Sequence, residues 1–251
     1  GGGSGGYATA LRASELGLSV ALIEAEKLGG TCLHWGCIPT KALLHAAELA
    51  DGARDSEKYG VRSTFEGIDI EKVHAYKDGV VGRLYKGLQG LVKAHGVTYV
   101  EGYGRLVGTD VVEVDGQRYQ GRNVVLATGS YSRSLPGLEI EGRVMTSDQA
   151  LTLDRVPQSV IILGGGVIGS EFASVWKSFG ADVTIIEALP NLVPNEDPAI
   201  SKAFERAFVS PRTNRASTSP SRTARRSTPR SCSSPSAAGR GRTAWATASR
   251  A

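Results

Sequence analysis

The segments Gly1-Gly-Gly-Ser-Gly-Gly6 and Gly164-Gly-Gly-Val-Ile-Gly169 carry the same pattern, Gly-x-Gly-x-x-Gly, and the second begins 163 residues after the first. The same offset places Glu187 on Glu24. In each copy a glycine-rich loop is followed by a helix-length segment, a glycine stop, an apolar strand and an acidic residue. This internal repeat indicates two structural units of related design within one chain.

The spacing of these glycines is typical of loops that bind the pyrophosphate of a dinucleotide. Glycine permits the tight turn, the close approach of backbone N–H groups to the phosphates, and the packing of helix on strand. The helix N-terminus adds a partial positive charge and unpaired N–H donors. Glu24 and Glu187 each lie 18 residues past the last glycine, where a carboxylate can accept hydrogen bonds from ribose hydroxyls. The alternative is a pair of structural glycine turns. The predicted contacts are Gly1, Gly3, Gly6, Gly164, Gly166 and Gly169.

The charge of the chain is unevenly distributed. The formal net charge is +4, but nine of the 29 Lys and Arg residues and none of the 25 Asp and Glu residues follow Phe208. The part before that point is therefore net acidic, and the basic balance gives no reason to expect a nucleic-acid partner. No run approaches the roughly 18 apolar residues of a membrane span, and no leader pattern precedes the first loop. We expect a cytoplasmic protein without a nucleic-acid or membrane partner.

Helical and strand-like patterns alternate along the chain. An apolar strand, Val160-Ile-Ile-Leu163, precedes the second glycine loop, whereas no strand precedes the first, so the first unit is expected to lack one strand. Apolar spacing predicts a helix over 38–50 and a longer one from Ile70 to Leu91, with its Lys and Arg residues on the solvated face. The mixture predicts an α/β architecture. Further strand-like runs are Val97–Val100, Val111–Val114 and Val124–Ala127.

Two cysteines lie close together in Gly29-Gly-Thr-Cys-Leu-His-Trp-Gly-Cys-Ile-Pro-Thr-Lys41. A close pair in a chain without a secretion signal indicates redox or metal chemistry. A redox pair needs two sulfurs close enough to bridge and one thiolate stabilised beside an electron acceptor. A zinc site needs four ligands, and only His34 lies nearby. Two unrelated core cysteines are the remaining alternative.

The cysteine segment and the repeat together resemble the pyridine nucleotide–disulfide oxidoreductases, which hold FAD and NAD(P) in two related domains. The resemblance implies two doubly wound, Rossmann-like α/β domains of the FAD-linked disulfide reductase type, both incomplete. Residues 1–150 would form the FAD-binding domain with the redox disulfide, lacking its first strand. Residues 151–208 would form a truncated NAD-binding domain. Residues 209–251, rich in Ser, Thr, Pro and Arg, would be a disordered basic tail.

The resemblance also implies roles for single residues. Cys32 would be the interchange thiol that reacts with a dithiol substrate, and Cys37 the thiolate in charge-transfer contact with the flavin. Lys41 would lie near the flavin and pair with Glu171, for which an ordinary helix carboxylate favoured by the helix dipole is the alternative. Further implied cofactor contacts, some of which could be plain turn residues, are Gly30, Thr31, Gly104, Ala127, Thr128 and Gly129.

Within the family, the cysteine loop and the segment Glu187-Ala-Leu-Pro-Asn-Leu-Val-Pro-Asn-Glu-Asp197 are most similar to the dihydrolipoyl dehydrogenases. The implied reaction is the oxidation of protein-bound dihydrolipoamide by NAD through FAD and the disulfide. A carboxylate at Glu187 would repel the extra phosphate of NADP. The implied partners are the lipoyl-bearing component of 2-oxo acid dehydrogenase complexes and a second subunit in a homodimer. Mercuric reductase is the alternative within the same family.

The resemblance covers about the first 208 residues. The family's catalytic base is a histidine paired with a glutamate in a C-terminal interface domain, and none of the four histidines, all before residue 96, lies in such a motif. A cofactor-binding fragment without catalysis is therefore a further alternative. From Val209 onward the sequence has the character of a frameshift product, because residues 226–239 read one nucleotide earlier can spell a strand and turn typical of the family. A genuine basic tail is the other interpretation.

Overall fold

A computed structural model describes residues 1–209, 217–220 and 243–246 of the chain. Over these residues, seven α-helices and nine strands alternate, and the strands form three separate sheets. Parallel strands connected through helices make up two of the sheets. This arrangement confirms the predicted α/β class.

The chain divides into two compact units. The first consists of Gly1–Ala42 and His74–Tyr131, and the second of Leu43–Val73 and Ser132–Ala251. Residues 43–73, which the sequence places in the first domain, pack in the second unit because Leu43 and Ala47 join its core. The functional domain boundary at residue 150 stays a prediction.

The first unit is built on a short parallel pair of strands. The first glycine loop leads into α1 (Ser4–Glu15), then β1 (Ala21–Glu24), which pairs in parallel with β2 (Thr98–Glu101). Buried Ala10, Leu22, Leu28, Val92 and Val97 form its core. A separate antiparallel sheet completes the unit, and its strands are β3 (Arg105–Leu106), β4 (Val111–Val114) and β5 (Gln117–Gln120).

The predicted long helix is present as α4 (Ile70–Ala94). Not all of the apolar residues whose spacing predicts this helix are on its buried face. Leu84 and Leu91 are largely exposed, whereas Leu88 and Tyr85 pack against the first core. Lys77 corrects the expectation that the basic residues of this helix are all solvated, because it is 4% exposed. Its ammonium group lies 3.2 Å from the carboxylate of Asp78, so the apolar stem is buried while the charge is paired.

The second unit contains a four-stranded parallel sheet in the order β8-β7-β6-β9. In it, β6 (Ser159–Leu163) precedes the second glycine loop, α6 (Val167–Phe179) follows the loop, and β7 (Asp182–Glu187) pairs with β6 from Ser159 opposite Asp182 to Leu163 opposite Ile186. The largest fully buried side chains of its core are Leu43, Leu151, Val160, Ile162, Phe172, Val175, Trp176, Val183, Ile185 and Leu192. The other α-helices wholly within the described part of this unit are α5 (Ser147–Ala150) and α7 (Pro198–Val209), and a short 3-10 helix spans Ser56–Tyr59.

The predicted strand Val124–Ala127 does not form. Its residues Val125 and Leu126 are exposed, although valine has a high strand propensity and both side chains are apolar. A strand is defined by hydrogen bonds to a neighbour, and β1 is paired only with β2 among the described strands. The apolar run therefore stays extended chain without a sheet partner.

Two strands of the second sheet lie in the segment for which composition predicts disorder. These are β8 (Ser217–Pro220) beside β7 and β9 (Thr243–Ala246) beside β6. The rest of the segment after residue 209 lies outside the described residues. The frameshift interpretation of that segment stays a prediction.

Candidate functional site

The first glycine loop has no room for a side chain at Gly1 or Gly6. A Cβ on Gly6 would overlap the carbonyl oxygen of Gly1, and a Cβ on Gly1 would overlap the carbonyl oxygen of Ala127. Helix α1 begins directly after Gly3, and no side chain caps its N-terminus. The N–H groups of its first turn therefore point out of the helix as donors for an anion.

The second glycine loop has the same geometry. A Cβ on Gly169 would overlap the carbonyl oxygen of Gly164. Gly166 precedes α6 with ψ of −176°, against −175° for Gly3 before α1, and again no side chain caps the helix. The predicted glycines of both copies thus occupy equivalent positions at the start of equivalent helices.

Each acidic residue of the repeat is fixed by backbone N–H groups. Gly165 donates to Oε2 of Glu187 at 2.7 Å, and Leu189 donates to Oε1 at 2.8 Å. In the first copy Gly2 donates to Oε2 of Glu24, and Glu26 donates to Oε1 at 2.9 Å. Both carboxylates are half-buried, so each is held against its glycine loop.

Gly2 and Gly165 are residues that the sequence analysis missed, because they occupy the variable position between the first two motif glycines. A Cβ on Gly165 would collide with the side chain of Leu192, and one on Gly2 would lie 2.9 Å from that of Leu28. Leu28 and Leu192 are both buried but are 164 residues apart. The repeat thus extends past the acidic residue with one inserted residue, which a search at the fixed offset does not detect.

Cys32 and Cys37 form a disulfide bond with their Cα atoms 4.7 Å apart. Cys32 lies in α2 (Gly30–His34), and Cys37 is the first residue of α3 (Cys37–Asp55). Cys37 is exposed and Cys32 half-buried. The bond settles the choice among the alternatives in favour of a bridged pair. In the described part of the chain, no group of three or more His, Cys, Asp and Glu residues could hold a metal ion.

The disulfide segment lies against the first glycine loop. Gly29 donates its N–H to the carbonyl oxygen of Gly2 at 2.9 Å. A Cβ on Gly30 would lie 2.6 Å from the Cα of Gly3, so this approach requires glycine, and Gly30 itself has a left-handed φ of 58°. The first glycine loop and the segment that leads into the disulfide are thus joined by direct backbone contacts.

The sequence profile of the pyridine nucleotide-disulphide oxidoreductase family matches residues 1–212. The chain belongs to this family. Its membership accounts for the repeat, the paired glycine loops and the disulfide as parts of one design.

Curated relatives in the family include dihydrolipoyl dehydrogenases. The chain is 45% identical over 219 residues to the enzyme of Bacillus subtilis, a match that covers 82% of this chain and 46% of that protein. It is 42% identical over 216 residues to the mitochondrial dihydrolipoyl dehydrogenase 1 of Arabidopsis thaliana, covering 83% and 43%. The chain therefore spans about half the length of these curated relatives.

A solved structure of the family has a similar fold. The HOCl-induced flavoprotein disulfide reductase RclA from Escherichia coli matches with a TM-score of 0.71 and 28% identity, over 87% of this chain and 47% of that one. The similarity supports the FAD-linked disulfide reductase type of fold predicted from the sequence. Among the described residues, no helix has the length and apolar character needed to cross a membrane.

The remaining residues implied by the family occupy mixed positions. Ala127 lies against Gly1, and Gly129 has a left-handed φ of 79°. A Cβ on Gly104 would lie 3.1 Å from Ile23 of β1. Ala127 thus lies beside the loop of the first copy, and Gly104 lies beside its strand β1. The expected cofactor contacts of Thr31 and Thr128 stay predictions.

Lys41 and Glu171 lie in different units. Lys41 is exposed in the second turn of α3, and Glu171 is half-buried in the second turn of α6. The pairing of these two residues, and their roles near a flavin, stay predictions.

Tyr99 of β2 is a titratable group that the sequence did not single out. Burial, reinforced by the negative charge of Glu101, raises the pKa of Tyr99 to about 12. Its hydroxyl is buried and has no hydrogen-bond partner among the described residues. The core of the first unit thus contains a polar group that disfavours ionisation.

Proposed function

We propose that the protein is a flavin-dependent disulfide oxidoreductase that oxidises a dihydrolipoyl dithiol and reduces NAD. The observation that carries the proposal is the Cys32–Cys37 disulfide directly after Gly29 and Gly30, whose backbone contacts a dinucleotide-type glycine loop. The identity to dihydrolipoyl dehydrogenases supports the choice of substrate.

The first copy fits FAD. Its loop admits backbone only at Gly1 and Gly6, the N-terminus of α1 offers uncapped N–H groups for the pyrophosphate, and Glu24 presents a fixed carboxylate for a ribose. Gly30, Thr31, Gly104 and 127–129 are further proposed contacts. When bound, FAD would supply two-electron transfer between the dithiol and the nicotinamide.

The second copy fits NAD rather than NADP. Glu187 is held by two backbone N–H groups with both oxygens in fixed positions, so its negative charge cannot turn away from a phosphate on the adenosine ribose. The following residues, 188–195, contain no Lys or Arg that could bind such a phosphate. NAD binding tighter than NADP binding by at least tenfold is therefore expected.

The disulfide would act by thiol exchange. A substrate thiolate attacks the sulfur of Cys32, the Cys32–Cys37 bond breaks, and Cys37 leaves as a thiolate. The second substrate thiol loses its proton and attacks the substrate sulfur of this mixed disulfide, which releases the substrate as a disulfide and Cys32 as a thiolate. The position of Cys37 at the start of α3 favours its thiolate form. Lys41 and Glu171 are proposed to lie near the flavin.

The test is reduction of the disulfide by dihydrolipoamide, counted as thiols by alkylation and mass spectrometry. A Cys232→Ser background removes the third cysteine from the count, and Cys32→Ser in that background is the control that cannot form the bond. We expect two new thiols, at Cys32 and Cys37. A disulfide that resists excess dihydrolipoamide would exclude the proposed substrate.

Since the chain spans about half the length of its curated relatives, a cofactor-binding role without catalysis is a second candidate for the chain alone. Flavin retained through purification, together with thiol exchange, supports the oxidoreductase. Flavin retention without exchange supports the second candidate. The homodimer and the lipoyl-bearing partner of 2-oxo acid dehydrogenase complexes are proposed from the same relatives.

A further inference from the structure

His34 lies between the two cysteines and is held on two sides. Its Nε2 lies 2.7 Å from the carbonyl oxygen of Leu28. Because a carbonyl oxygen only accepts hydrogen bonds, Nε2 must carry a proton and donate it to Leu28. The ring also meets Tyr85 of α4 edge-on, with centroids 5.1 Å apart and an interplanar angle of 75°.

The acceptor of this hydrogen bond belongs to a fixed segment. Leu28 is 2% exposed and packs against Gly2. The next residue, Gly29, donates its N–H to the carbonyl oxygen of Gly2. Residues 28 and 29 are therefore anchored to the first glycine loop, so the hydrogen bond of His34 connects the residues between the two cysteines to that loop.

The ring contact adds a second anchor. Tyr85 is half-buried and packs against the core of the first unit. An edge-to-face aromatic pair adds a contact beyond simple apolar burial. His34 is thus connected to the glycine loop through its nitrogen and to α4 through its ring, whereas its neighbour Trp35 is 46% exposed.

We propose that His34 is a positioning residue for the disulfide: its hydrogen bond to Leu28 holds residues 32–37 in the conformation in which the two sulfurs meet. In the reduced form, this tie keeps the thiols near each other, which raises their effective concentration and favours the disulfide. Loss of the tie lets the reduced loop spread over more conformations, and the disulfide becomes easier to reduce. The inference rests on the proposed function in that the disulfide must be reducible.

Two substitutions separate the hydrogen bond from the ring contact. His34→Phe keeps an aromatic ring against Tyr85 but has no N–H donor. His34→Gln removes the ring but places an amide N–H at about the position of Nε2. The matched control is His45→Phe, since His45 is an exposed histidine of α3 whose side chain is 55% accessible.

The measured quantity is the equilibrium constant between disulfide and dithiol in glutathione buffers, in which the Cys32–Cys37 bond breaks as two glutathione molecules are oxidised to one disulfide. The 251-residue chain with Cys232→Ser is used throughout. We expect His34→Phe to shift this equilibrium about fivefold toward the dithiol, the factor that one hydrogen bond of ordinary strength is worth, or about 20 mV. His34→Gln is expected to recover most of the shift, and His45→Phe to leave the constant unchanged.

The experiment distinguishes failure of the role proposed for His34 from failure of the proposed function. A native disulfide that neither glutathione nor excess dihydrolipoamide reduces would overturn the proposed function, whereas a reversible equilibrium that is the same in all variants would overturn only the role of His34. A shift in His34→Gln as large as that in His34→Phe would also overturn it, because the hydrogen bond would not be the cause.

A second measurement needs no variant at His34. Nitrogen-15 NMR of the labelled chain reports which ring nitrogen carries the proton at neutral pH. The hydrogen bond requires protonated Nε2 in the disulfide form. A ring protonated at Nδ1 alone in that form would overturn the proposal, even if every variant failed to fold.

Discussion

The two copies of the glycine motif share one loop but differ in what surrounds it. Both loops have the same backbone conformation before the helix and the same carboxylate held by backbone N–H groups. Eight residues of α6 are buried, but only Gly6 and Ala10 of α1. Strand β6 lies between β7 and β9, whereas β1 pairs with β2 alone among the strands that the structure describes.

This difference shows that residues close together in the sequence determine the conformation of the glycine loop, whereas they do not determine how deeply the following helix is buried. Glycines, the acidic residue and the helix start lie within 24 residues in each copy, and they produce the same loop in both sheets. Burial of the helix depends on the apolar residues it presents and on the sheet beneath it. The positions of Phe172 and Phe179 in α6 correspond to Thr9 in α1 and to Leu16 at its C-terminal end, both exposed.

The largest effect is expected from Phe172→Ala. Phe172 is 1% exposed in the core of the second unit, so its truncation should lower the free energy of unfolding by about 3–5 kcal/mol. The equivalent Thr9→Ala should change it by less than about 0.5 kcal/mol, because Thr9 is exposed and bonded only to its own helix. Urea unfolding of both variants measures the contrast. Equal losses would show that the two helices are buried alike.

A smaller but matched effect is expected in the loops. Gly6→Ala and Gly169→Ala each place a Cβ on a carbonyl oxygen of the same loop, and each should cost about 3 kcal/mol because backbone must move. Gly5→Ala is the control, since its Cβ would make only an ordinary contact at 4.0 Å. It should stabilise α1 by up to about 1 kcal/mol. Urea unfolding of the three variants measures these differences. If Gly6→Ala lowered the free energy of unfolding and Gly169→Ala did not, the two loops would not be structurally equivalent.

Replacement of Glu24 or Glu187 by glutamine should lower the free energy of unfolding by the same amount in the two copies. In Glu24→Gln or Glu187→Gln, one backbone N–H faces an amide NH₂ in place of an oxygen, so one of the two hydrogen bonds is lost. Each substitution should lower the free energy of unfolding by about 1–2 kcal/mol, measured by urea unfolding. The isosteric shape keeps packing constant. A loss in one copy only would show that the other carboxylate does not stabilise its loop.

The smallest effect at neutral pH is expected from Tyr99→Phe. Its buried hydroxyl has no hydrogen-bond partner among the described residues, so removal should change the free energy of unfolding by less than about 1 kcal/mol. The pKa of Tyr99 is raised from 10 to about 12 in the folded protein. The protein is therefore stabilised relative to high pH as long as Tyr99 stays neutral, and this contribution is complete below pH 10 and is lost as the pH rises toward 12. Tyr99→Phe should lack this loss when unfolding is measured across that range. Parallel loss in both chains would contradict the raised pKa.

The sequence correctly predicted the features that depend on residues close together along the chain. The fixed offset located both loops, both acidic residues and the helices after them, and the strand Val111–Val114 forms as predicted. The disulfide follows from a short motif in which the two cysteines are five residues apart.

What depends on distant contacts could not be predicted. Val124–Ala127 is an apolar run without a neighbour to pair with among the described strands. The buried face of α4 is set by the core it meets, so Leu84 is exposed while Tyr85 packs inward. The sequence singled out His34 only as a possible zinc ligand and gave no sign of a positioning role, because its two contacts come from Leu28 and the remote Tyr85.

The carboxylate held against each glycine loop has a consequence for the kinetics of ligand capture. A backbone N–H that already donates to Glu24 or Glu187 keeps the loop in one conformation before any nucleotide arrives. Ordering of the loop then takes place during folding and does not slow the encounter. Nucleotides should therefore associate at rates set by diffusion and orientation, and differences in affinity between ligands should be expressed mainly in how fast they leave.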